Sequence, residues 1–84
     1  MTDIVIPDNV TCIGDYAFYN HYCMTSITIP DSVTSIGESA FDGCSSLETV
    51  YYTGSEEEWA AITIGSNNSD LTGATITYNY VSEE

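Results

Sequence analysis

Residues 27–49 read ITIPDSVTSIGESAFDGCSSLET, and residues 4–26, immediately before them, read IVIPDNVTCIGDYAFYNHYCMTS. Aligned without gaps, the two stretches are identical at ten positions. The shared positions carry the aliphatic residues, an alanine-phenylalanine pair, one proline and one glycine. A repeat of fixed period that keeps its apolar positions predicts stacked rungs that share one continuous core.

Each repeat predicts a strand, a turn, a second strand and a helical turn. In the first copy the opening strand covers residues 4–6 and is stopped by Pro7, which cannot donate to a ladder. The second strand covers residues 10–13 and ends at Gly14, where we expect a positive φ. Residues 15–19 are long enough for one helical turn, with the Ala-Phe pair pointing inward.

The second copy differs from the first mainly at its end. We expect Gly43 to take the left-handed conformation that ends the helical turn. Leu47 takes the place of Met24, an exchange of similar volume that a packed core accepts. The first copy carries His21 and Tyr22 where the second has smaller residues, so this corner of the first repeat is bulkier.

The pattern IPxxVxxIGxxAF occurs twice in register, and it resembles the repeat of the BspA-type leucine-rich repeat family, a bacterial class. Residues 50–80 resemble the unit that commonly closes such arrays. The resemblance implies a curved solenoid used for adhesion or protein binding, often as a module of large cell-surface proteins. It implies no catalytic residues.

The predicted fold is an α+β repeat solenoid, a short leucine-rich-repeat-like stack of strands with helical turns and a C-terminal helix-plus-strand cap. The whole chain, residues 1–84, would form a single domain. Its predicted parts are repeat 1 (4–26), repeat 2 (27–49), a C-terminal capping unit (50–80) and an acidic tail (81–84).

The capping unit departs from the repeat in a way that predicts a true helix. Ser55 and Glu58 have the spacing of a capping box, so a helix should start there and run through residues 59–61. Trp59 should take the position of the second-strand isoleucines and fill the end of the core. Residues 65–70 predict a loop, and residues 74–80 a strand. In that strand Ile76, Tyr78 and Tyr80 would share one face.

Charge narrows the choice of partner. The chain has 13 acidic residues and no Lys or Arg, for a formal net charge of −13. Direct binding to nucleic acid or to an anionic membrane is disfavoured, because both need basic groups. A protein partner with a basic surface, or a cation, is the natural ligand.

Neither the cysteine spacing nor the targeting signals identify a function for the chain. The three cysteines have no metal-binding or disulfide spacing and are expected to be small core thiols. The sequence has no signal peptide and no long apolar run, which predicts a cytoplasmic protein if the chain is complete. If it is a fragment of a larger protein, a cell-surface or secreted location is expected.

No catalytic, cofactor-binding or metal site is predicted. His21 is the only histidine, and the serines near it in sequence belong to turns. The run from Glu56 to Glu58 could hold calcium, but consecutive carboxylates at a helix start point in different directions and lack the spacing of a calcium loop. A solvated helix start is the preferred interpretation.

The tyrosines are the more informative residues, since so many cannot all be buried in a small core. Tyrosine beside carboxylate suits recognition of a basic protein patch, because the ring gives rigid contact area and the charge steers association. Rings that merely cover the flanks of the solenoid are an equal alternative. The candidate partner-binding residues are Asp8, Asp15, Tyr16, Tyr19, His21, Tyr22, Asp31, Glu38, Asp42, Glu56 and Glu57.

Two functions remain open from the sequence. The first is a non-enzymatic protein-binding module. The second is an inhibitor that imitates nucleic acid, such as an anti-CRISPR or anti-restriction protein, in which the aligned pairs Asp8/Asp31 and Asp15/Glu38 would stack as short rows of charge. Mimicry requires carboxylates concentrated on one face, whereas a general binding module does not.

The N-terminal side of the stack has no predicted cap. Aliphatic residues begin the array after only three residues, so the first rung should lack neighbours on one side. A terminal repeat normally presents a polar face to solvent. We therefore expect something to cover this end, a second copy of the chain in a homodimer first and strand addition by a partner next.

Overall fold

The computed structural model describes residues 2–81, which form two parallel β-sheets stacked into a repeat solenoid. One sheet has four strands in the order β1-β3-β5-β7, and the other has three in the order β2-β4-β6. The predicted solenoid of stacked strands is confirmed. The elements are β1 (Thr2–Val5), β2 (Cys12–Ile13), β3 (Met24–Ile29), β4 (Ser35–Ile36), β5 (Thr49–Tyr52), α1 (Glu56–Ala60), β6 (Thr63–Ile64), α2 (Ser69–Thr72) and β7 (Thr75–Thr77).

The strand register follows the sequence repeat. Ile4 pairs with Ile27, and Ile27 pairs with Val50, so equivalent positions lie directly above one another. In the other sheet Ile13 pairs with Ile36, and Ile36 pairs with Ile64. The expectation that Trp59 would occupy this last position is therefore wrong. The spacing lengthens in the third rung because α1 is inserted between β5 and β6, and Trp59 lies on that insertion.

The core is formed by the inward residues of both sheets and is best packed in the middle rungs. Ile27, Phe41 and Val50 have no solvent exposure. The rings of Phe18 and Phe41 stack with centroids 5.2 Å apart. Each fully buried aliphatic or aromatic side chain contributes about 1.5–3 kcal/mol relative to exposure. Met24 and Leu47 are both buried, as their exchange between repeats predicts.

The segments after β2 and β4 are series of reverse turns, so the helical turn predicted for each repeat is wrong. Tyr16 has φ 60° and its equivalent Ser39 has φ 57°, and a left-handed residue cannot continue a right-handed helix. The backbone N–H of Ala17 donates to the Gly14 carbonyl at 3.2 Å, and that of Tyr19 donates to the Tyr16 carbonyl at 3.2 Å. Ala17 is exposed instead of pointing inward.

The glycines have two different roles. Gly43 has φ 83°, which confirms its expected left-handed conformation. Gly14 does not have a positive φ, contrary to expectation, and neither does Gly37. A Cβ atom at Gly37 would overlap the backbone nitrogen of Asp15 and lie 2.6 Å from the carbonyl carbon of Gly14. Glycine at this position therefore permits close approach of adjacent rungs.

The C-terminal third is only partly as predicted. The capping box of Ser55 and Glu58 is present at the start of α1. The expected loop at residues 65–70 includes the start of α2. Asn79 has φ 56°, which places the Tyr80 ring against Tyr51 on the outer face of the sheet, 4.6 Å between centroids. Of the predicted acidic tail, residues 82–84 lie outside the described residues.

Candidate functional site

The solenoid turns through two corners that carry most of the predicted binding residues. The first corner leads from the four-stranded to the three-stranded sheet and contains the turns at Asp8 and Asp31 together with α1. The second corner leads back and contains residues 14–23 of the first rung and 37–47 of the second. The candidates thus divide between two places. The first corner holds Asp8, Asp31, Glu56 and Glu57, and the second holds Asp15, Tyr16, Tyr19, His21, Tyr22, Glu38 and Asp42.

Three tyrosines make the second corner aromatic and exposed. Tyr16, Tyr19 and Tyr22 have 56%, 49% and 66% of their surface exposed. The rings of Tyr16 and Tyr19 meet edge to face with centroids 5.5 Å apart. His21 is also exposed, and its ring lies edge-on to Phe18 at 5.9 Å. We call Tyr16, Tyr19 and Tyr22 the tyrosine patch.

The backbone beneath the tyrosine patch is tied to the next rung. The N–H of Phe18 donates to the Ala40 carbonyl at 2.8 Å, and the N–H of Asn20 donates to the Asp42 carbonyl at 2.7 Å. These bonds hold the turn segment against the second repeat, so the rings project from a fixed base. A rigid aromatic surface loses little conformational entropy on binding.

The carboxylates of the second corner have different environments. Asp15 accepts a hydrogen bond from the backbone N–H of Glu38 through Oδ1 at 2.9 Å, so it links the two rungs as well as carrying charge. Glu38 is exposed and Asp42 is half-buried. The chain has no Lys or Arg that could balance this charge.

A cavity lies beneath α1 in the first corner, with a volume of about 190 Å³. Two exposed carboxylates from different elements stand at its mouth, Asp31 from the turn after β3 and Glu58 from α1. Tyr52, which is only 1% exposed, also lines it. Burial raises the pKa of the Tyr52 hydroxyl, and the charges of Glu58 and Asp31 raise it further. The remaining lining residues are Val33, Thr34, Ala61 and Ile62.

Gly54 allows the acidic and aromatic groups of this cavity to come together. A Cβ atom there would lie 2.7 Å from Glu58 Oε1, 2.8 Å from Tyr52 Cε2 and 3.0 Å from Asp31 Cβ. Sequence reasoning identified Asp31 as a binding candidate and Glu58 as a helix cap, but it did not bring them together. The available signal was the break in the repeat period, which places a capping glutamate above the turn after β3.

Sequence reasoning also missed the outer face of the four-stranded sheet. A shallow groove of about 520 Å³ runs across it. Ser26 donates to Asp3 Oδ1 at 2.8 Å within this groove. The signal was the alternation of polar with aliphatic residues in each strand. The groove is lined by Asp3, Val5, Thr25, Ser26, Thr28, Glu48, Thr49, Tyr51 and Tyr80.

The cysteines are only partly as expected. Cys44 is a buried core thiol whose Sγ donates to the Phe18 carbonyl at 3.3 Å, and burial raises its pKa. Cys12 and Cys23 are exposed, so the prediction of core thiols is wrong for them. The exposure of Cys12 follows from the register, because Cys12 pairs with Ser35 at an outward position of β2, whereas Cys23 lies in the turn before β3.

Residues 2–81 contain neither a cluster of metal-binding side chains nor a membrane-spanning helix. No group of three or more His, Cys, Asp or Glu side chains in this part of the chain is arranged to hold a metal ion. None of its helices has the length and apolar character needed to cross a lipid bilayer.

The repeats of this chain match those of known proteins. The family model described as BspA type Leucine rich repeat region (6 copies) matches residues 1–81. No curated protein matches the sequence. The chain is similar in structure to a leucine rich cell surface protein from Faecalibacterium prausnitzii A2-165, with a TM-score of 0.65 and 32% identity. That match covers 90% of this chain and 22% of the other. With the family model matching almost its whole length, the chain belongs to the BspA-type leucine-rich repeat family.

Proposed function

We propose that this chain is a non-enzymatic protein-binding module that recognises a basic surface on another protein through its second corner. The observation that carries the proposal is the tyrosine patch. Its three rings lie within seven residues of one turn segment, and about half or more of each residue's surface is exposed. Protein interfaces are enriched in tyrosine relative to the rest of the surface. Membership of a repeat family associated with protein interaction supports the same conclusion.

The charge around the tyrosine patch favours a basic partner. Asp15, Glu38 and Asp42 lie in the same corner, and no Lys or Arg in the chain competes for them. Charges at the rim of an interface mainly increase the association rate and exclude partners of like charge. We therefore expect binding that weakens with added salt but does not disappear, because the rings supply apolar contact area.

The inhibitor that imitates nucleic acid remains a prediction with less support. Its requirement is a concentration of carboxylates on one face. Carboxylates occur on the outer face of the four-stranded sheet (Asp3, Glu48), in the first corner (Asp8, Asp31) and in the second. This spread around the solenoid is more easily reconciled with a general binding module.

The biological setting belongs to the same proposal. The structurally similar protein is described as a leucine rich cell surface protein, and this chain corresponds to 22% of it. We infer that the chain acts at a cell surface as one module of a larger assembly. Labelling of intact source cells with an antibody against this chain would test that inference, and a signal seen only after lysis would contradict it.

Homodimerisation through the first rung also remains a prediction. Its support is that β1 and β2 are both edge strands and that Ile4, Val10 and Phe18 are only partly buried. Their equivalents in the second rung are Ile27, Val33 and Phe41, all 0–1% exposed. Sedimentation velocity from micromolar to millimolar concentration would detect the dimer. A monomer throughout that range would contradict the prediction.

Affinity capture with matched variants tests the binding surface. Wild-type protein and the Tyr19→Ser/Tyr22→Ser variant are immobilised and exposed to extract and surface fractions from the source cell. Tyr16 is left intact because its backbone is left-handed, so a substitution there could change the stability of the turn as well as the binding surface. The control is Val5→Ser, which removes a side chain that is 71% exposed outside the second corner.

The expected result is a basic protein retained by wild type and by the control but reduced at least tenfold with the double variant. Retention should fall with salt without being abolished. Equal retention by all three proteins would refute the role of the tyrosine patch. Retention of a nucleic-acid enzyme that DNA or RNA displaces would favour the inhibitor instead.

A further inference from the structure

The cavity beneath α1 has the dimensions of a site for one side chain. Its volume of about 190 Å³ is below the roughly 300–1,000 Å³ of sites that hold small-molecule ligands or cofactors. Val33, Ala61 and Ile62 give it apolar walls, while Asp31 and Glu58 place carboxylates at the exposed rim. The lining of the cavity thus combines apolar side chains with two carboxylates.

One hydroxyl that lines the cavity has no hydrogen-bond partner within residues 2–81. Tyr52 is 99% buried, and within residues 2–81 its hydroxyl makes no hydrogen bond. Its ring is held by an edge-to-face contact with Trp59 at 5.1 Å. Since no buried side-chain nitrogen or oxygen of the described residues lacks a partner, this oxygen is in contact with the solvent that fills the cavity. The phenol oxygen can therefore accept from a donor that enters the cavity.

The two carboxylates have spare capacity for the same donor. Glu58 Oε1 accepts the Ser55 backbone N–H at 2.9 Å in the capping box, which leaves Oε2 available. Asp31 is anchored through its backbone N–H, which donates to Thr53 Oγ1 at 2.8 Å, and no hydrogen bond to its side chain occurs among the described residues. Both oxygens of Asp31 are thus free to accept.

We propose that this cavity receives a single lysine or arginine side chain from a protein partner. The methylene stem would lie against the apolar walls, and the ammonium or guanidinium head would bind the carboxylates and the phenol oxygen. Long basic side chains bury their stems and keep their heads in a polar environment. This inference extends the proposed function. It rests on that function only in assuming that the basic side chain belongs to a protein partner.

A metal ion is a poorer fit to the same groups. Calcium takes six to eight oxygen ligands, and two carboxylates and one neutral phenol fall short of that number. The apolar walls would also contribute nothing to metal binding. A cation that carries its own aliphatic chain uses every part of the lining.

Titration with small cations tests the cavity without a partner protein. The probes are n-butylammonium and n-butylguanidinium chloride, with n-butanol as the neutral analogue and sodium chloride at matched ionic strength. Amide chemical shifts of ¹⁵N-labelled protein report binding. We expect saturable shifts at Gly54, Ala61 and Ile62 with either cation, and no saturable shift with n-butanol or with sodium chloride.

Charge-neutral variants locate the binding groups. Asp31→Asn and Glu58→Gln keep the shape of each side chain, and glutamine still completes the capping box. Each should weaken the probe at least threefold, and Tyr52→Phe should weaken it further than any change outside the cavity. The matched control is Glu56→Gln, which removes one charge from the same helix outside the cavity.

Three results would overturn the proposal. They are loss of affinity with Glu56→Gln equal to that with Glu58→Gln, equal shifts with n-butanol, and saturation by calcium chloride at the same amides at lower concentration than the organic cations. Probe binding without any captured partner would retain the cavity site and reject the protein-binding function. Capture of a partner without probe binding would retain the protein-binding function and reject the cavity site.

Discussion

Asn68 should be the side chain whose loss most weakens the stack, although it lies in a segment that the sequence predicts to be a loop. It is only 4% exposed. Its Oδ1 accepts the backbone N–H of Phe41 at 2.9 Å. Its Nδ2 donates to the carbonyls of Gly37 at 3.0 Å and Gly65 at 2.9 Å. One amide therefore joins the second and third rungs.

The size of the effect follows from the groups left without partners. In Asn68→Ala the N–H of Phe41, a residue with no solvent exposure, loses its hydrogen bond, and an unpaired buried donor costs about 1–3 kcal/mol. Two carbonyls lose a donor, and the vacated volume adds a smaller packing penalty. We expect a total of about 2–4 kcal/mol. An 84-residue chain has roughly 4–12 kcal/mol of stability in all.

Asn68→Asp separates the acceptor role from the donor role. The carboxylate keeps an acceptor for Phe41 but turns its second oxygen towards the carbonyls of Gly37 and Gly65. At pH 7 this variant should be less stable than Asn68→Ala. Its folded-state pKa would be raised by those carbonyls, so it should regain stability relative to Asn68→Ala as the pH falls towards 4.

Urea denaturation followed by Trp59 fluorescence and by far-ultraviolet circular dichroism measures these differences. The midpoint should shift at constant m-value. Asn9→Ala is the matched control, since Asn9 is an exposed turn residue and should change stability by no more than about 0.5 kcal/mol. The reasoning is refuted if Asn68→Ala behaves like the control, or if Asn68→Asp is the more stable variant at neutral pH.

Three further outcomes follow from local geometry. Gly43→Ala should destabilise by about 1–2 kcal/mol or more in urea, because φ is 83° and the added Cβ would overlap Asn20 Oδ1, whereas Gly14→Ala meets nothing within 4 Å and should be neutral or stabilising. Ellman's reagent should modify the two exposed cysteines in the native protein and Cys44 only after unfolding; three fast thiols would contradict its burial. The raised pKa of Tyr52 means that stability from its neutral phenol is complete below pH 10 and lost as the pH rises through the folded-state pKa, and urea midpoints from pH 8 to 11 should show that Tyr52→Phe reduces this loss.

The strand register was predictable because it depends on local pattern repeated in sequence. Ile4, Ile27 and Val50 lie one above another, as the repeat predicts. The capping box was predictable for a similar reason, since Ser55 and Glu58 are close in sequence and bond each other's backbone. In both cases the sequence pattern that predicts the contact is formed by the same residues that make it.

The corner geometry was not predictable in the same way. A left-handed tyrosine or serine costs about 1–2 kcal/mol, so no rule based on residue preference places one there. Hydrogen bonds between rungs compensate, since the N–H of Tyr16 donates to the Glu38 carbonyl at 3.0 Å and that of Ser39 to the Ser66 carbonyl at 2.9 Å. Asn67 adopts the same conformation, with φ 65°, in the third rung. The conformation is therefore a property of the stack.

The candidate cation site has the same origin as these corners. Asp31 belongs to a turn of the second repeat, whereas Glu58 belongs to the helix inserted into the third. Neither position is unusual in its own segment, because one is a turn aspartate and the other a capping glutamate. They meet only because the insertion of α1 leaves the register of β4 and β6 intact, with Ile36 still paired to Ile64. An insertion that preserves register must fold over the rung below it, and so a break in the repeat period indicates where two rungs can form a site that neither contains alone.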